Sequence, residues 1–206
     1  MSGAPRRSFY VVAWIFYLVL AIAGLLWLGA QRGALGVGLF VEPGTIWVDL
    51  GAGLALAAIL LALWWGMRRF MPSARALEGE LAALVTPLTT SEALALALIS
   101  AVAEELFFRG ALQGAIGFLP AAVLFALLHG GPGRAFRAWG LFALVGGLTL
   151  GLYVAEREAL GGAILAHALV NGVNLLRLVR QTGGGAGLLN CATRQGAKPG
   201  GARKET

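Results

Sequence analysis

Two long apolar runs, residues 9–28 and 46–67, limit the folds that this chain can adopt, and each run is flanked by a pair of arginines. Because a helix needs about 20 apolar residues to cross the hydrocarbon core of a bilayer, both runs predict transmembrane helices. The composition agrees: of 206 residues, 58% are hydrophobic and 13% are charged, and the mean hydropathy is +0.79. Soluble domains of this size rarely have such values. The chain is therefore predicted to be an integral, multi-pass membrane protein.

Further apolar stretches bring the predicted number of transmembrane helices to about six. They cover residues 92–118, 116–129, 139–154 and 160–179. Thr89 and Glu92 match a capping box, in which the two side chains satisfy backbone amides at a helix start, so the third stretch is expected to begin there. The predicted fold class is an all-α, polytopic membrane helix bundle.

The segment between the second and third stretches contains Pro72, which is expected to end a helix. Residues 74–85 then form either a short amphipathic surface helix or a solvated connector. At the other end of the chain, residues 181–206 are rich in glycine and basic, which predicts a disordered tail. Cys191 lies in this tail without metal-ligand spacing beside it and receives no role.

The placement of basic residues predicts the orientation, because Lys and Arg in short loops favour the cytoplasmic side. With the N-terminus in the cytoplasm, only Arg32 and Arg157 lie outside. The residues placed inside are Arg6, Arg7, Arg68, Arg69, Arg75, Arg134, Arg137, Arg177, Arg180, Arg194, Lys198, Arg203 and Lys204. Both termini are thus predicted to be cytoplasmic. The net charge of +6 reflects this topology and contact with anionic lipid, and it needs no nucleic-acid partner.

Three charged residues interrupt the third apolar stretch, within the sequence "AEELFFRG". A charge at the middle of a membrane helix costs roughly 2.5 to 3.5 kcal/mol on insertion scales, so these side chains are expected to face protein or water. Glu105 and Arg109 are four residues apart on one helical face and can form a supporting ion pair. Glu104 is rotated about 100° away from Glu105. It therefore lacks that partner and is the candidate general base.

Both histidines of the chain lie in predicted transmembrane stretches. His129 follows Phe125 by one helical turn, and His167 precedes Asn171 by one turn, so each pair shares a face. Asn174 extends the second face. Together with Glu104 these groups suit amide hydrolysis: the glutamate takes a proton from water, one histidine positions that water, and the other histidine and the asparagine donate to the oxyanion.

Two alternatives use the same residues differently. Glu104, His129 and His167 together supply the ligands of a divalent metal ion with an open position for water. A buried polar network that only fixes helix packing is the second alternative. The spacing in the sequence does not choose between these arrangements.

At these residues the sequence resembles the CAAX-protease and bacteriocin-processing (CPBP, or abortive-infection) family of intramembrane proteases, which includes the type II CAAX prenyl endopeptidase. The EExxxR motif is Glu104 to Arg109, FxxxH is Phe125 to His129, and HxxxN is His167 to Asn171. The resemblance implies a helical membrane fold whose motif helices surround a catalytic cavity open to the cytoplasm. It also implies that Glu104 and His129 activate water while His167 and Asn171 stabilise the oxyanion.

The resemblance covers residues 89–180, which are predicted to be the catalytic core. Residues 1–88 then contribute two transmembrane helices and a connector, and residues 181–206 the tail. The predicted function is hydrolysis of a peptide bond in a membrane-associated or prenylated substrate by glutamate-activated water. The alternative is a non-hydrolytic immunity or binding protein with the same fold, and a transporter ranks third. The cofactor is either a divalent metal such as zinc or none, and the expected partners are membrane lipid and a peptide or lipidated peptide.

Overall fold

The computed structural model describes residues 4–33, 35–41, 44–85 and 88–195, and this part of the chain is helical with short connections. Its elements are α1 (Ala4–Arg32), a 3₁₀ turn (Val37–Leu39), α2 (Ile46–Phe70), α3 (Pro72–Val85), α4 (Thr90–Glu104), a π-helix (Glu105–Leu112), α5 (Gln113–Ile116), α6 (Phe118–His129), α7 (Arg134–Arg157) and α8 (Gly161–Gln195). The predicted all-α class is confirmed for these residues.

Four of the described helices are long and apolar enough to cross a membrane. They are Phe9–Arg32, Ile46–Phe70, Arg134–Arg157 and Gly161–Gln181. The other two predicted spans differ from this pattern. Residues 90–116 are helical throughout but change from α to π geometry at Glu105, and α6 has only 12 residues. Four of the six predicted spans are thus supported, and the count of six stays a prediction.

The surface of the bundle exposes large apolar side chains, as expected where helices face lipid. Leu26, Trp47, Trp65, Phe70 and Leu128 each expose between 71% and 80% of their area. A soluble protein rarely exposes contiguous apolar patches of large size. The long apolar helices and this surface identify an integral membrane protein.

The interior is built by helices that are distant in sequence. α2 and α4 pack against α8, α6 packs against α7, and α1 packs against α4 and the π-helix. Leu28, Leu60, Leu106, Leu150 and Leu160 are buried together in the central core. This packing brings α4, the π-helix, α6 and α8, which carry the three motifs, to one cavity.

Helix α3 follows α2 with a single residue between them, because Pro72 lacks a backbone N–H and suits the first position of a new helix. Its buried residues Ala74 and Leu77 pack against Ala135 and Ala138 of α7. Of the two alternatives for residues 74–85, the structure therefore has the helix rather than the connector.

The predicted start of the third stretch is confirmed by its capping geometry. The backbone amide of Glu92 donates to Thr89 Oγ1 at 3.2 Å, and the backbone amide of Thr89 donates to Glu92 Oε2 at 2.8 Å. The stretch ends at Gly117, whose φ of 87° only glycine adopts without strain. This glycine separates α5 from α6.

A polar network that the sequence analysis does not predict joins α2 and α7 near Arg157. Tyr153 Oη donates to Asp49 Oδ1 at 2.8 Å, and Arg157 Nε donates to the same oxygen at 3.0 Å. Arg157 Nη2 also donates to Thr45 Oγ1 at 2.7 Å. The Asp49 side chain is almost fully buried, so the network offsets the cost of placing its charge inside the bundle.

The predicted tail differs in part from the structure. Where the sequence predicts disorder from residue 181 onwards, the backbone of α8 is helical to Gln195. The remainder of the predicted tail, residues 196–206, lies outside the described residues.

Candidate functional site

The first motif lies where α4 changes into the π-helix, a feature absent from the sequence-based expectation of one regular helix. Glu104 is the last residue of α4 and Glu105 the first of the π-helix. At the end of the π-helix, the Gln113 amide donates to the carbonyl of Phe108, five residues earlier. Such wider turns occur frequently at functional sites.

Helix α1 supports the π-helix from outside. A Cβ atom on Gly24 would lie 3.0 Å from the backbone carbon of Leu106 and 3.0 Å from the backbone nitrogen of Phe107, so a larger residue would require the two backbones to move apart. Gln31 Nε2 donates to the Ala111 carbonyl at 3.1 Å. Both contacts are made by residues of α1 that lie outside the three motifs.

The predicted ion pair between Glu105 and Arg109 is present and fully enclosed. Arg109 Nη1 donates to Glu105 Oε1 at 3.0 Å, and the Glu105 side chain has no exposed area. The guanidinium of Arg109 also lies over the ring of Phe125, 4.2 Å from its centroid. The attraction within such a pair offsets part of the cost of removing both charges from water.

Glu105 has a second partner that the sequence analysis does not identify. His167 Nδ1 lies 2.7 Å from Glu105 Oε1. Because the ionised carboxylate only accepts hydrogen bonds, Nδ1 is the protonated nitrogen in this contact. The other ring nitrogen, Nε2, lies 3.7 Å from Glu104 Oε2. Glu105 thus fixes the orientation of His167 toward Glu104.

His129 is oriented in a similar way by its own helix. Its Nδ1 donates to the carbonyl of Phe125 at 2.8 Å, since a carbonyl oxygen only accepts. Nε2 of His129 is then 3.7 Å from Glu104 Oε2. The ring of Phe125 packs against the imidazole with 4.2 Å between centroids, and Trp139 contacts it edge-on at 5.4 Å.

Asn171 is held by Ser100, a buried residue that the sequence analysis does not single out. Ser100 Oγ donates to the Ala97 carbonyl at 3.1 Å, and Asn171 Nδ2 donates to Ser100 Oγ at 3.1 Å. The serine hydrogen is used on the carbonyl, so Ser100 presents only lone pairs to Asn171. One amide hydrogen of Asn171 therefore stays available. A serine four residues before Glu104, in an otherwise apolar run, is the signal that identifies this position.

The motif helices enclose one cavity of about 110 Å³. Glu104, His129, His167 and Asn171 all contribute to its wall, and so does Tyr17 of α1, which the sequence analysis also does not identify. A water molecule takes about 30 Å³ in the liquid, so the cavity has room for a few waters. Glu104 Oε2 is buried and accepts no hydrogen bond from the described residues. The cavity therefore presents an acceptor oxygen between two imidazole nitrogens.

Glu104, His129 and His167 are the candidate metal ligands of the site. Two imidazole nitrogens and one carboxylate oxygen are chemically suitable donors for zinc. However, the described residues include no group of three or more His, Cys, Asp or Glu with the geometry to hold a metal ion. The mechanism proposed for these residues therefore uses only their own side chains.

Comparison with protein families gives a match to the middle of the chain. The family model described as type II CAAX prenyl endopeptidase Rce1-like matches residues 86–173, a segment that contains all three motifs. Neither the curated proteins nor the solved structures include a match to the chain. The family match confirms the predicted resemblance: residues 86–173 are similar to the Rce1-like family, which is consistent with the resemblance to the CPBP intramembrane proteases.

Proposed function

We propose that this protein is an intramembrane endopeptidase in which Glu104 activates a water molecule to hydrolyse a peptide bond of a membrane-associated substrate. The family match implies a CAAX-type endopeptidase in general. The observation that carries the finer proposal is the position of Glu104 Oε2, which lies 3.7 Å from Nε2 of both His129 and His167.

In the first step, a water in the cavity donates one hydrogen bond to Glu104 and the other to Nε2 of His129. The fixed hydrogen bond from His129 Nδ1 to the Phe125 carbonyl leaves Nε2 as the acceptor. Glu104 takes a proton from the water as its oxygen forms a bond to the substrate carbonyl carbon. Because both hydrogens of the water point at these two acceptors, the lone pairs of its oxygen are directed toward the substrate carbonyl.

The carbonyl oxygen becomes an oxyanion, which needs hydrogen-bond donors. Asn171 supplies the amide hydrogen that Ser100 leaves available. His167 donates from Nε2 when both ring nitrogens carry protons, because Nδ1 already donates to Glu105. The carboxylate of Glu105 compensates the positive charge of that imidazolium. Glu105 is therefore proposed to orient His167 in addition to pairing with Arg109.

In the second step, the tetrahedral intermediate collapses and the bond from carbon to nitrogen breaks. Protonated Glu104 returns its proton to the leaving nitrogen, which departs as an amine. The carbonyl fragment leaves as a carboxylic acid that contains the oxygen of the water. Glu104 is thereby restored as a carboxylate, so one glutamate acts first as base and then as acid.

Cleavage of a membrane peptide by the purified protein tests this proposal. Glu104→Gln keeps the size of the side chain but cannot accept a proton, so we expect the rate of hydrolysis to fall by roughly 10²-fold or more. The control is Glu80→Gln, the same chemical change at an exposed position of α3. Equal cleavage by Glu104→Gln and parent would refute the proposal. Peptide binding by the parent without any cleavage would favour the non-hydrolytic alternative.

Chelation tests the role of metal in the same assay. A metal-free mechanism predicts that activity survives dialysis against a zinc chelator. Loss of activity that added zinc restores would instead assign Glu104, His129 and His167 as metal ligands. Metal analysis of the purified protein gives an independent measure, because it does not depend on turnover.

A further inference from the structure

One face of α1 packs against the helices of the first motif, and Tyr17 lies on that face. Tyr17, Gly24 and Gln31 follow one another at intervals of seven residues, which is close to two helical turns, so their side chains share a face. Gly24 approaches the backbone of the π-helix at Leu106, and Gln31 donates to the Ala111 carbonyl. Two turns before Gly24, Tyr17 is therefore placed where α1 packs against α4.

The Tyr17 side chain reaches Glu104, the last residue of α4. Both side chains line the cavity of about 110 Å³. The Tyr17 hydroxyl interacts with Glu104 through the charge of the carboxylate and through a side-chain hydrogen bond. Because an ionised carboxylate only accepts hydrogen bonds, the hydroxyl is the donor. Hydrogen bonds to a charged group are stronger than those between neutral groups.

This contact distinguishes the two oxygens of Glu104. Oε2 accepts no hydrogen bond from the described residues, so Oε1 is the oxygen that accepts from Tyr17. Oε2 is the oxygen that lies 3.7 Å from Nε2 of both His129 and His167. The terminal torsion of a glutamate is broad, so a free carboxylate rotates readily. A donor on Oε1 therefore keeps Oε2 directed at the two imidazoles.

The ring of Tyr17 is held by apolar neighbours on both sides. It packs against two groups of buried residues, one that includes Leu28 and Leu60 and another that includes Leu96 and Leu178. A phenylalanine would make the same apolar contacts. The hydroxyl thus has no part in this packing, and a buried tyrosine hydroxyl usually has a hydrogen-bond partner.

We propose that Tyr17 is a positioning residue of the candidate site, whose hydroxyl donates to Glu104 Oε1 and so holds Oε2 where water is activated. Tyr17 lies outside residues 86–173, the segment that matches the family model. The first helix therefore supplies a polar group that the three motifs do not contain. The role of Tyr17 in hydrolysis rests on the proposed function, because Glu104 is the base only in that reaction.

Removal of the hydroxyl alone tests the positioning role. Tyr17→Phe keeps the ring, so we expect the protein to fold and kcat for a cleaved peptide to fall roughly tenfold or more, as for loss of a hydrogen bond to a charged group. KM should change little, since the contact is to Glu104 and not to the substrate. A parent-like kcat in Tyr17→Phe would leave only the packing of the ring and would overturn the role.

Tyr10→Phe is the matched control. Tyr10 lies seven residues before Tyr17 on the same face of α1, but it does not line the cavity. The substitution removes the same atom from the same helix and should leave kcat at the parent value. An equal loss in both variants would show that the hydroxyls of α1 act on the helix as a whole, which also overturns the role.

Fluorine NMR tests the contact without turnover. The chain has three tyrosines, so protein labelled with fluorotyrosine gives three resonances, which Tyr→Phe variants assign. Glu104→Gln should shift the resonance of Tyr17 and leave those of Tyr10 and Tyr153 in place. Glu80→Gln, the same change at an exposed position, should shift none of them.

This measurement separates the inference from the proposed function. A Tyr17 resonance that Glu104→Gln does not shift overturns the inference even if the parent cuts peptides. A shifted resonance in a protein whose parent form cuts no peptide supports the contact between Tyr17 and Glu104, and in that case only the proposed function fails.

Discussion

Each histidine of the candidate site has one ring nitrogen bound to a fixed acceptor. The acceptor is Glu105 for His167 and the Phe125 carbonyl for His129. In both rings this leaves Nε2 directed at Glu104. At the scale of single residues, the site therefore depends on the acceptors behind the histidines as much as on the histidines themselves.

Ser100 is expected to contribute to catalysis by orienting Asn171. Ser100→Ala removes the acceptor of the Asn171 amide, and a hydrogen bond of this kind contributes about 1 kcal/mol, so kcat should fall roughly three- to tenfold with a smaller change in KM. Ser100→Thr keeps the hydroxyl and should retain most of the parent kcat. Steady-state kinetics on a cleaved peptide give both constants.

Ser73→Ala on α3 is the matched control, because Ser73 does not contact the site. If Ser100→Ala and Ser100→Thr lower kcat equally, packing rather than the hydrogen bond is responsible, and the assigned role of Ser100 is wrong.

Substitutions of the two adjacent glutamates should differ in their effects, one on the stability of the protein and the other on the rate of hydrolysis. Glu105→Gln leaves Arg109 buried without its carboxylate partner, and breaking such a pair costs about 3 to 5 kcal/mol of unfolding free energy. Glu104 has no cationic side chain of Arg or Lys paired with it in the described structure, so Glu104→Gln should abolish hydrolysis with little loss of stability. Denaturation of both variants in one detergent, followed by circular dichroism, compares them. Equal destabilisation would contradict this division of roles.

The π-helix is the element that determines the geometry of the first motif, and α1 is the element that supports it. Their backbones approach closely at Gly24, and the Gln31 amide donates to Ala111 further along. Small residues permit such approach between membrane helices. The first helix, which carries none of the three motifs, is thus part of the support of the site and also contributes Tyr17 to its wall.

A side chain at Gly24 should disturb both stability and activity. Gly24→Val forces α1 away from the backbone of Leu106 and Phe107, and overpacking of this kind costs about 1 to 3 kcal/mol. Gly29→Val on the same helix has no neighbour within 4 Å of its Cβ and is the control. Thermal unfolding and peptide cleavage are measured for both. Equal behaviour of the two variants would show that the approach of α1 does not matter.

Across the bundle, the basic residues are distributed unequally between its two ends. The end of α2, helix α3 and the start of α7 lie at one end of the bundle, with Arg68, Arg75 and Arg134. The opposite end carries Arg157, whose charge is balanced by Asp49. This separation agrees with the predicted orientation, in which the first of these ends faces the cytoplasm.

Cysteine labelling in intact cells tests that orientation. After replacement of Cys191 by alanine, Glu156→Cys at the end of α7 should react with a membrane-impermeant maleimide. Glu80→Cys on α3 should react only once the membrane is made permeable. Both positions are exposed, so burial does not limit either reaction. The reverse pattern would invert the predicted topology.

Features that depend on neighbours along the chain can be predicted from the sequence. Apolar runs of about 20 residues predict membrane helices, a capping box predicts the start of α4, and a spacing of four predicts the pair of Glu105 and Arg109. The motif residues were identified for the same reason, since each motif lies within two helical turns.

The contacts between groups on different helices follow from the tertiary structure and could not be predicted from the sequence. The contact of His167 with Glu105 joins residues 62 positions apart, and that of Asn171 with Ser100 joins residues 71 apart. The π-geometry after Glu104 accompanies close packing of α1 against the backbone of Leu106 and Phe107. Helical periodicity places a side chain on a face but does not state which helix that face meets, and this choice depends on packing throughout the bundle.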